Sequence, residues 1–246
     1  MKRKILGLLN SLLQLFGIAI YKSGFDMSSS IRRIRDKHHI DINTIVDIGA
    51  SDGKWSKLAM NIFPNAKIIA IEPLIERELK LEKLKKVKNN FDFAICALGQ
   101  NDNQKATIMV TDDLDGSTIS GINNFGNERE INLRTLDSLI LQKKLKGPFL
   151  LKFDTHGYEL PILQGAKETL RNTEIIIMEV YNYKITGESL LFNEMVDHLS
   201  NLGFRSYDLA DPLLRPLDDS LWQMDLYFMR KNNEIFNNNS YRKPHV

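Results

Sequence analysis

Short apolar segments that alternate with helical patterns constrain the fold of this chain more than any other feature. Each apolar segment has the length of one strand, and the intervening segments repeat apolar residues at helical spacing. The pattern predicts βαβ units and a mainly parallel sheet with helices on both faces. The strands predicted in this way cover residues 44–48, 66–71, 91–97, 149–153 and 174–178.

The last two apolar segments, residues 204–209 and 224–229, predict a different connection. The loop between them contains Pro212 and Pro216 and is too short for a crossover helix, so the two strands should be antiparallel. A parallel sheet that ends in an antiparallel hairpin is the architecture of class I methyltransferases. The predicted fold is therefore α/β and Rossmann-like, with a seven-stranded, mainly parallel sheet whose last strand is antiparallel.

The chain divides into three predicted regions: an N-terminal amphipathic helix at 1–25, a methyltransferase domain at 26–231 and a flexible tail at 232–246. Within the domain, residues 112–130 are polar and contain three glycines. They predict a long loop beside the C-terminal edge of the sheet, where open α/β sheets bind ligands. This loop is a candidate lid.

The N-terminal region begins with the basic residues Lys2, Arg3 and Lys4, followed by an apolar segment at 5–20. Its apolar residues recur at helical spacing, but polar residues interrupt them, which disfavours a membrane span or a signal peptide. Two alternatives stay open. The helix packs on its own domain or on a second subunit in a homodimer, or it lies at a membrane surface.

Composition excludes several classes of function. The net charge of +2 is far from the basic balance that nucleic-acid binding needs. The single cysteine, Cys96, forms no internal disulfide, and the sequence has no Cys/His cluster of zinc-site spacing. We therefore expect a cytoplasmic protein, and residues 5–20 are the segment that would make any peripheral membrane contact.

The segment after the first predicted strand resembles a cofactor loop. Its two glycines are four residues apart and are flanked by acids, which suits neither NAD nor ATP phosphates. S-adenosylmethionine has no phosphate, and its ammonium can meet an acid at the end of a strand. Glu72 ends the second strand, where an acid can accept both ribose hydroxyls. The residues predicted to bind this cofactor are Asp47, Gly49, Ala50, Ser51, Asp52, Gly53, Glu72 and Ala97.

A second cluster of ionisable residues follows the strand at 149–153. The segments VDIGASDGKW, AIEP, RTLDSL, LLKFDTHGYELPILQGAKETL and IIIMEV occur in the order found in FkbM-type methyltransferases, and the chain resembles that family over residues 44–230. The most specific elements are Lys152, Asp154, Gly157 and Glu159. The resemblance implies an S-adenosylmethionine-dependent enzyme that methylates hydroxyls, often of sugars in surface polysaccharides or of natural products.

The predicted catalytic residues are Lys152, Asp154 and His156. Family members often carry Glu or Gln in place of His156, and either Asp154 or His156 is the candidate general base. Glu159 either contacts the substrate or stabilises the N-terminus of the following helix. The residues predicted to contact the substrate are Glu159, Glu179, Tyr181, Gln223 and Asp225, with Tyr183 and Trp222 as aromatic candidates.

Three acids, Asp154, Glu179 and Asp225, could hold a divalent cation, but ordinary polar contacts are the favoured interpretation. The predicted function is O-methylation of a hydroxyl on a sugar or on a polysaccharide or natural-product precursor. Two alternatives are a nicotinamide-dependent sugar oxidoreductase and a non-catalytic, membrane-associated scaffold with the same fold.

Overall fold

A computed structural model describes residues 24–119 and 126–242 of the chain. The strands within these ranges are β1 (Thr44–Ile48), β2 (Lys67–Glu72), β3 (Phe91–Ile95), β4 (Ala97–Leu98), β5 (Lys105–Val110), β6 (Thr118–Ile119), β7 (Asn127–Arg134), β8 (Phe149–Phe153), β9 (Thr173–Tyr181), β10 (Phe204–Leu214) and β11 (Leu221–Arg230). The helices are α1 (Met27–His38), α2 (Lys54–Ile62), α3 (Glu78–Val87), α4 (Leu136–Gln142), α5 (Glu159–Gln164), α6 (Lys167–Arg171) and α7 (Phe192–Asn201), with 3-10 turns at Ile75–Arg77 and Glu234–Asn237. The predicted N-terminal helix at 5–20 lies outside the described residues.

The main sheet has seven strands in the order β10-β11-β9-β8-β1-β2-β3. Strands β3, β2, β1, β8 and β9 pair in parallel, and β11 is antiparallel to both of its neighbours, β9 and β10. This topology confirms the predicted class I methyltransferase fold. All parallel strands therefore end at one edge, which is the edge that carries the ionisable residues.

Two buried clusters cover the two faces of this sheet. Successive strand residues point to opposite faces, so Ile45 packs in one cluster and Val46 in the other. Apolar residues of α1, α2 and α3 belong to the first cluster, and those of α4, α5, α6 and α7 to the second. Because β1 is buried on both faces, the central strands have the continuous apolar sequence typical of a parallel sheet.

A second sheet, with the order β4-β7-β5-β6, stands beside the main one. The prediction of a loop through residue 130 was wrong, because β7 begins at Asn127. Its first four residues are polar and three of them are exposed, and Glu130 forms an ion pair of 2.6 Å with Lys105 on β5. Strand pairing here depends on a partner outside the segment, which its polar sequence does not indicate.

The helix predicted after β8 is also interrupted. It forms two helices, α5 and α6, separated at Gly165. A Cβ atom on Gly165 would lie 2.1 Å from the carbonyl oxygen of Gly99, so the chain that follows β4 packs directly on the break. In the predicted tail, Phe236 lies under the guanidinium of Arg205 at 4.5 Å, so residues 234–237 contact the domain.

None of the helices in the described ranges combines the length and apolar character that a bilayer crossing requires.

Candidate active site

A cavity of about 270 Å³ opens at the C-terminal edge of the main sheet. The ends of β1, β2, β8 and β9 form one side of it, and the second sheet forms the other. The cavity brings together seven of the predicted site residues from five segments that are far apart in sequence. These residues are Gly49, Ser51, Glu72, Ala97, Asp154, His156 and Glu179.

The donor loop, residues 49–53, begins with Gly49, where any larger residue would force the backbone to shift. Gly49 has φ of 79°, and a Cβ atom there would lie 1.9 Å from the carbonyl oxygen of Asp154. The loop therefore approaches the end of β8 closely only because the side chain is absent. This approach places the predicted donor side of the site against the predicted catalytic side.

Glu72 is held in a fixed orientation on the cavity wall. Its carboxylate accepts hydrogen bonds from the backbone N–H of Ser51 at 2.8 Å and of Leu74 at 2.9 Å. Burial raises the pKa of Glu72 from its ordinary value, against the opposing effect of these two donors. Each carboxylate oxygen keeps a second acceptor position, so Glu72 can accept hydrogen bonds from a ligand's hydroxyls.

Asp47 lies in a different place from the one we predicted. It is fully buried and does not line the cavity; its Oδ2 accepts a hydrogen bond of 2.7 Å from the Ser56 hydroxyl. Its Oδ1 has no hydrogen-bond partner among the described residues and lies 3.9 Å from Lys152 Nζ. Burial raises the pKa of Asp47, and the structure places this carboxylate beside a lysine instead of at the expected ammonium position.

The other donor-loop residues also lie off the cavity lining. Within the loop, Ala50 and Gly53 are buried on the side away from the cavity lining. Gly53, with φ of 76°, precedes the first turn of α2. Asp52 points towards two lysines, at 3.2 Å from Lys54 and 3.5 Å from Lys80. These three residues shape the loop, and the structure brings none of them to the cavity.

Lys152 is a buried ammonium surrounded by carboxylates. Its Nζ lies 2.5 Å from Asp154 Oδ2 and 3.9 Å from Asp47 Oδ1, and 5.8 Å from the centre of the Trp55 ring. Burial alone would lower the pKa of Lys152, but the charges of Asp154 and Asp47 outweigh it and raise the pKa. Lys152 therefore stays charged, does not line the cavity, and orients Asp154 instead of reacting itself.

His156 lies between two carboxylates. Its Nδ1 is 2.8 Å from the Tyr181 hydroxyl and 3.3 Å from Glu179 Oε2, and its Nε2 is 3.8 Å from Asp154 Oδ1. Burial would lower the pKa of His156, but the hydrogen bond to Glu179 and the charges of both acids raise it to about 9. At neutral pH the imidazole is therefore protonated and is not available as a base.

Asp154 has the opposite property. Burial would raise its pKa, but Lys152 and His156 lower it to about 2. The carboxylate is thus ionised, and part of it remains exposed in the cavity. Of the two candidate bases, only Asp154 is in the unprotonated form at neutral pH.

Two of the predicted substrate residues, Tyr181 and Gln223, contact the carboxylate of Glu179. Its carboxylate accepts hydrogen bonds from the Tyr181 hydroxyl and, at 2.5 Å, from Gln223 Nε2. Tyr181 and Gln223 are register partners on β9 and β11, so the antiparallel pairing of these strands builds the arrangement. Burial raises the pKa of Tyr181, and so do the charge and hydrogen bond of Glu179.

Glu159 and Asp225 do not line the cavity. The buried carboxylate of Glu159 accepts hydrogen bonds from the Gly157 N–H at 2.9 Å and from the Thr155 hydroxyl at 3.0 Å. It therefore fixes the turn that carries His156, which has φ of 51°, at the start of α5. Burial raises the pKa of Asp225 to about 7; the charges of Glu179 and Asp154 also raise it, and the charge of Lys152 opposes them.

The structure does not group the three acids considered for a cation. Polar atoms of Asp154, His156 and Glu179 lie within 4.8 Å of one another, but Asp225 is not part of this group. The Lys152 ammonium already neutralises Asp154, and the protonated imidazole neutralises its neighbours. A divalent ion would have to compete with both cations, so these residues do not fit a metal site.

The turn that closes the cavity between β5 and β6 lies in the segment predicted as a candidate lid, but sequence reasoning did not identify Asp115 as a site residue or Arg77 as its partner. Asp115 on this turn accepts a hydrogen bond of 2.8 Å from the Ser51 hydroxyl and forms an ion pair with Arg77. Arg77 also donates to the carbonyl oxygen of Asp113 at 3.2 Å. Three acids and one glycine at 112–116 indicated a loop here, but only the second sheet brings it onto the donor loop.

Comparisons with known proteins agree with this architecture. The sequence model of the Methyltransferase FkbM domain matches residues 47–206. A search of curated protein sequences gave no match. Methyltransferase FkbM from Methylobacillus flagellatus KT is 17% identical, with a TM-score of 0.50, over 80% of this chain and 47% of that one. This chain therefore spans about half the length of that relative.

Two other solved structures show weaker similarity. Precorrin-6y C5,15-methyltransferase from Geobacter metallireducens GS-15 is 13% identical, with a TM-score of 0.45, over 86% of this chain and 93% of that one. The 1,6-didemethyltoxoflavin-N1-methyltransferase of Burkholderia thailandensis, solved with S-adenosylhomocysteine, is 9% identical, with a TM-score of 0.46, over 83% and 78%. At such identities a structural match shows the fold alone. The sequence match covers more than half of the chain, and the chain belongs to the FkbM methyltransferase family.

Proposed function

We propose that this chain is an S-adenosylmethionine-dependent methyltransferase that methylates a hydroxyl of a sugar or of a polysaccharide or natural-product precursor. One observation carries the proposal: Glu72 and the donor loop share a single cavity with Asp154, His156 and Glu179. Family membership supports methyl transfer from this donor. The hydroxyl and the sugar are our inference from the polar groups at the β8 and β9 end of the cavity.

The residues present fit S-adenosylmethionine. Glu72 offers free acceptor positions for ribose hydroxyls, and Leu74, Leu98 and Ile119 give the same cavity apolar walls that suit a nucleobase. When bound, S-adenosylmethionine supplies a methyl group activated on a sulfonium. The absence of a side chain at Gly49 keeps the passage between the donor loop and Asp154 open.

Asp154 is the residue that accepts the hydroxyl proton in this proposal. Its carboxylate is ionised and reaches the cavity, whereas His156 is protonated at neutral pH. Lys152 fixes the position of Asp154, and the imidazolium of His156 offsets the negative charge of Glu179. Proximity and orientation therefore supply most of the expected rate enhancement, because a carboxylate of pKa about 2 is a weak base.

Aromatic side chains beside Gln223 support a sugar acceptor. Tyr183 and Trp222 stack with ring centres 5.3 Å apart and an interplanar angle of 24°, and Trp222 meets Tyr181 edge-on at 6.1 Å. Tyr181 and Gln223 both contact Glu179 on the cavity wall. Flat apolar faces next to amide and carboxylate groups suit a ring that carries hydroxyls.

Calorimetry with S-adenosylhomocysteine tests the donor side. We expect Glu72→Gln to weaken binding at least about tenfold, because one carboxylate oxygen becomes an amide donor. The matched control is Glu76→Gln, an acid four residues away that pairs with Arg129 outside the cavity. Wild-type affinity in Glu72→Gln would contradict the assignment.

NADH is the second titrant in the calorimetry. Binding of NADH alone would favour the oxidoreductase, and binding of neither ligand would favour the scaffold.

Labelled methyl transfer to sugar and polysaccharide acceptors tests the acceptor side. With Asp154 as the base, the rate should stay level between about pH 6 and 8. A rate that rises about tenfold per pH unit in this range would identify His156 as the base instead. A methyl product on nitrogen would refute the hydroxyl acceptor.

A further inference from the structure

The turn of the β10–β11 hairpin exposes an unusual set of apolar side chains. Leu213 is 52% exposed, Leu214 is 53% exposed and Leu217 is 79% exposed. Leu213 and Leu214 are neighbours on one strand where the pairing of the hairpin is irregular, and both side chains are open to solvent. The pairing of β11 with β9 ends at Gln223. Residues 213–221, the hairpin tip, therefore extend beyond the body of the sheet.

The beginning of the described chain lies against the base of this tip. The Asp211 N–H donates to the Phe25 carbonyl oxygen at 2.8 Å, and the Asp211 carboxylate accepts from the Met27 N–H at 3.2 Å. Phe25 is itself 64% exposed. The residues that precede it in sequence are a basic start, 2–4, and an apolar segment, 5–20. The described chain thus begins beside the base of the exposed apolar tip.

The hairpin tip also adjoins the acceptor side of the cavity. Leu213 is the register partner of Gln223, whose amide contacts Glu179 on the cavity wall. The Arg215 guanidinium lies 4.2 Å from the centre of the Tyr183 ring, which stacks on Trp222. The tip is therefore one residue contact away from the Glu179 end of the cavity.

The size and charge of the tip decide between possible occupants. Four exposed apolar side chains form a small patch beside the roughly 800 Å² that each partner of a stable protein complex covers. Asp218 pairs with Arg215, and Asp211 and Asp219 add negative charge, so anionic lipid does not attract the tip. Insertion of apolar side chains into the boundary between headgroups and acyl chains suits such a tip.

We propose that the hairpin tip, together with Phe25, docks on a lipid bilayer and holds the cavity at the membrane surface, where the acceptor sugar is anchored to a lipid. The lipid-anchored acceptor rests on the proposed function, whereas the docking surface does not. Membrane contact by this route depends on Leu213, Leu214 and Leu217 and not on surface lysines.

Flotation of the full chain with vesicles tests the docking surface. One vesicle set contains phosphatidylcholine alone, and a second also contains phosphatidylglycerol. The variant L213S/L214S/L217S should lose at least about tenfold in vesicle affinity, because each leucine loses its apolar transfer free energy. The matched control is L141S, a leucine of α4 that is also 79% exposed and precedes the loop at the opposite edge of the sheet. It should bind vesicles like the wild type.

Calorimetry with S-adenosylhomocysteine on the same variants separates the two proposals. Unchanged donor binding in the triple variant shows that its domain is folded. If neither the wild type nor any variant binds S-adenosylhomocysteine, the proposed function is refuted, but the conclusion about vesicle binding is unaffected. Equal vesicle affinity of wild type and triple variant would overturn the docking surface, as would no vesicle binding by the wild type. A wild-type dimer that the triple substitution converts to a monomer, without lipid binding, would assign the tip to a second copy.

Discussion

The protonation of His156 can be tested through Glu179. The structure raises the pKa of His156 from 6.5 to about 9, and the hydrogen bond to Glu179 is the strongest of the effects that raise it. Each factor of ten in proton affinity corresponds to about 1.4 kcal/mol, so the raised pKa corresponds to about 3 kcal/mol. Glu179→Gln removes one charge and keeps the shape of the side chain. We expect the pKa of His156 to fall by about one to two pH units, since Asp154 remains.

Titration of the histidine ring carbons by NMR measures this value directly in the free protein. His198 serves as an internal reference, because burial lowers its pKa and Glu179 is not among the causes. His156 should titrate near pH 9 in the wild type, and His198 should keep its value in Glu179→Gln. A wild-type His156 that titrates near pH 6.5, or one that Glu179→Gln leaves unchanged, would refute the reasoning.

The same effect appears in stability. The pKa of His156 is higher in the folded state than in the unfolded state, so its contribution is complete below about pH 6.5 and is lost as pH rises through about 9. Over this window the free energy of unfolding should fall by about 3 kcal/mol from this group. Other groups also titrate here, so the measurement is the difference between wild type and Glu179→Gln in urea denaturation. Parallel pH profiles of the two proteins would contradict the expectation.

Three further outcomes follow from the packing of the site. Gly49→Ala should destabilise the domain by at least about 2 kcal/mol in urea denaturation, since the added Cβ would lie 1.9 Å from the Asp154 carbonyl oxygen. Lys152→Met leaves the fully buried Asp47 without its neighbouring cation and leaves Asp154 with His156 alone, and it should cost about 3 to 5 kcal/mol in the same assay. Cys96 lines the cavity, and burial raises the pKa of its thiol to about 11. Its alkylation at neutral pH should therefore be slow, and S-adenosylhomocysteine should slow it further; a rapid reaction insensitive to ligand would contradict this.

The main sheet could be predicted because each of its strands is a short apolar segment that can be recognised without knowing its partner. The strand predicted at 44–48 forms at Thr44–Ile48, and the short loop between the last two strands forces an antiparallel hairpin. Known topology rules then place all carboxyl ends at one edge, which is why Glu72 and Asp154 meet in one cavity.

The features that were missed depend on partners far away in sequence. Strand β7 is stabilised by its pairing with β5, and the break at Gly165 by the carbonyl of Gly99. The protonation of His156 depends on Glu179, which a different strand places 3.3 Å away. Asp47 has the sequence context of a ligand-binding acid, yet its carboxylate is buried. It lies 3.9 Å from the ammonium of Lys152, because the two residues are register partners on neighbouring strands. Such roles follow from three-dimensional neighbours and not from a residue's own surroundings in the chain.

The contact between Ser51 and Asp115 has a consequence for the shape of the cavity. It joins the donor loop to a turn of the second sheet, and Arg77, in the 3-10 turn after β2, forms an ion pair with the same carboxylate. Both Ser51 and Asp115 line the cavity, so these two contacts fix two of its walls relative to each other. A substitution of Asp115 removes both contacts at once, while Glu72, Asp154 and His156 keep their own hydrogen-bond partners.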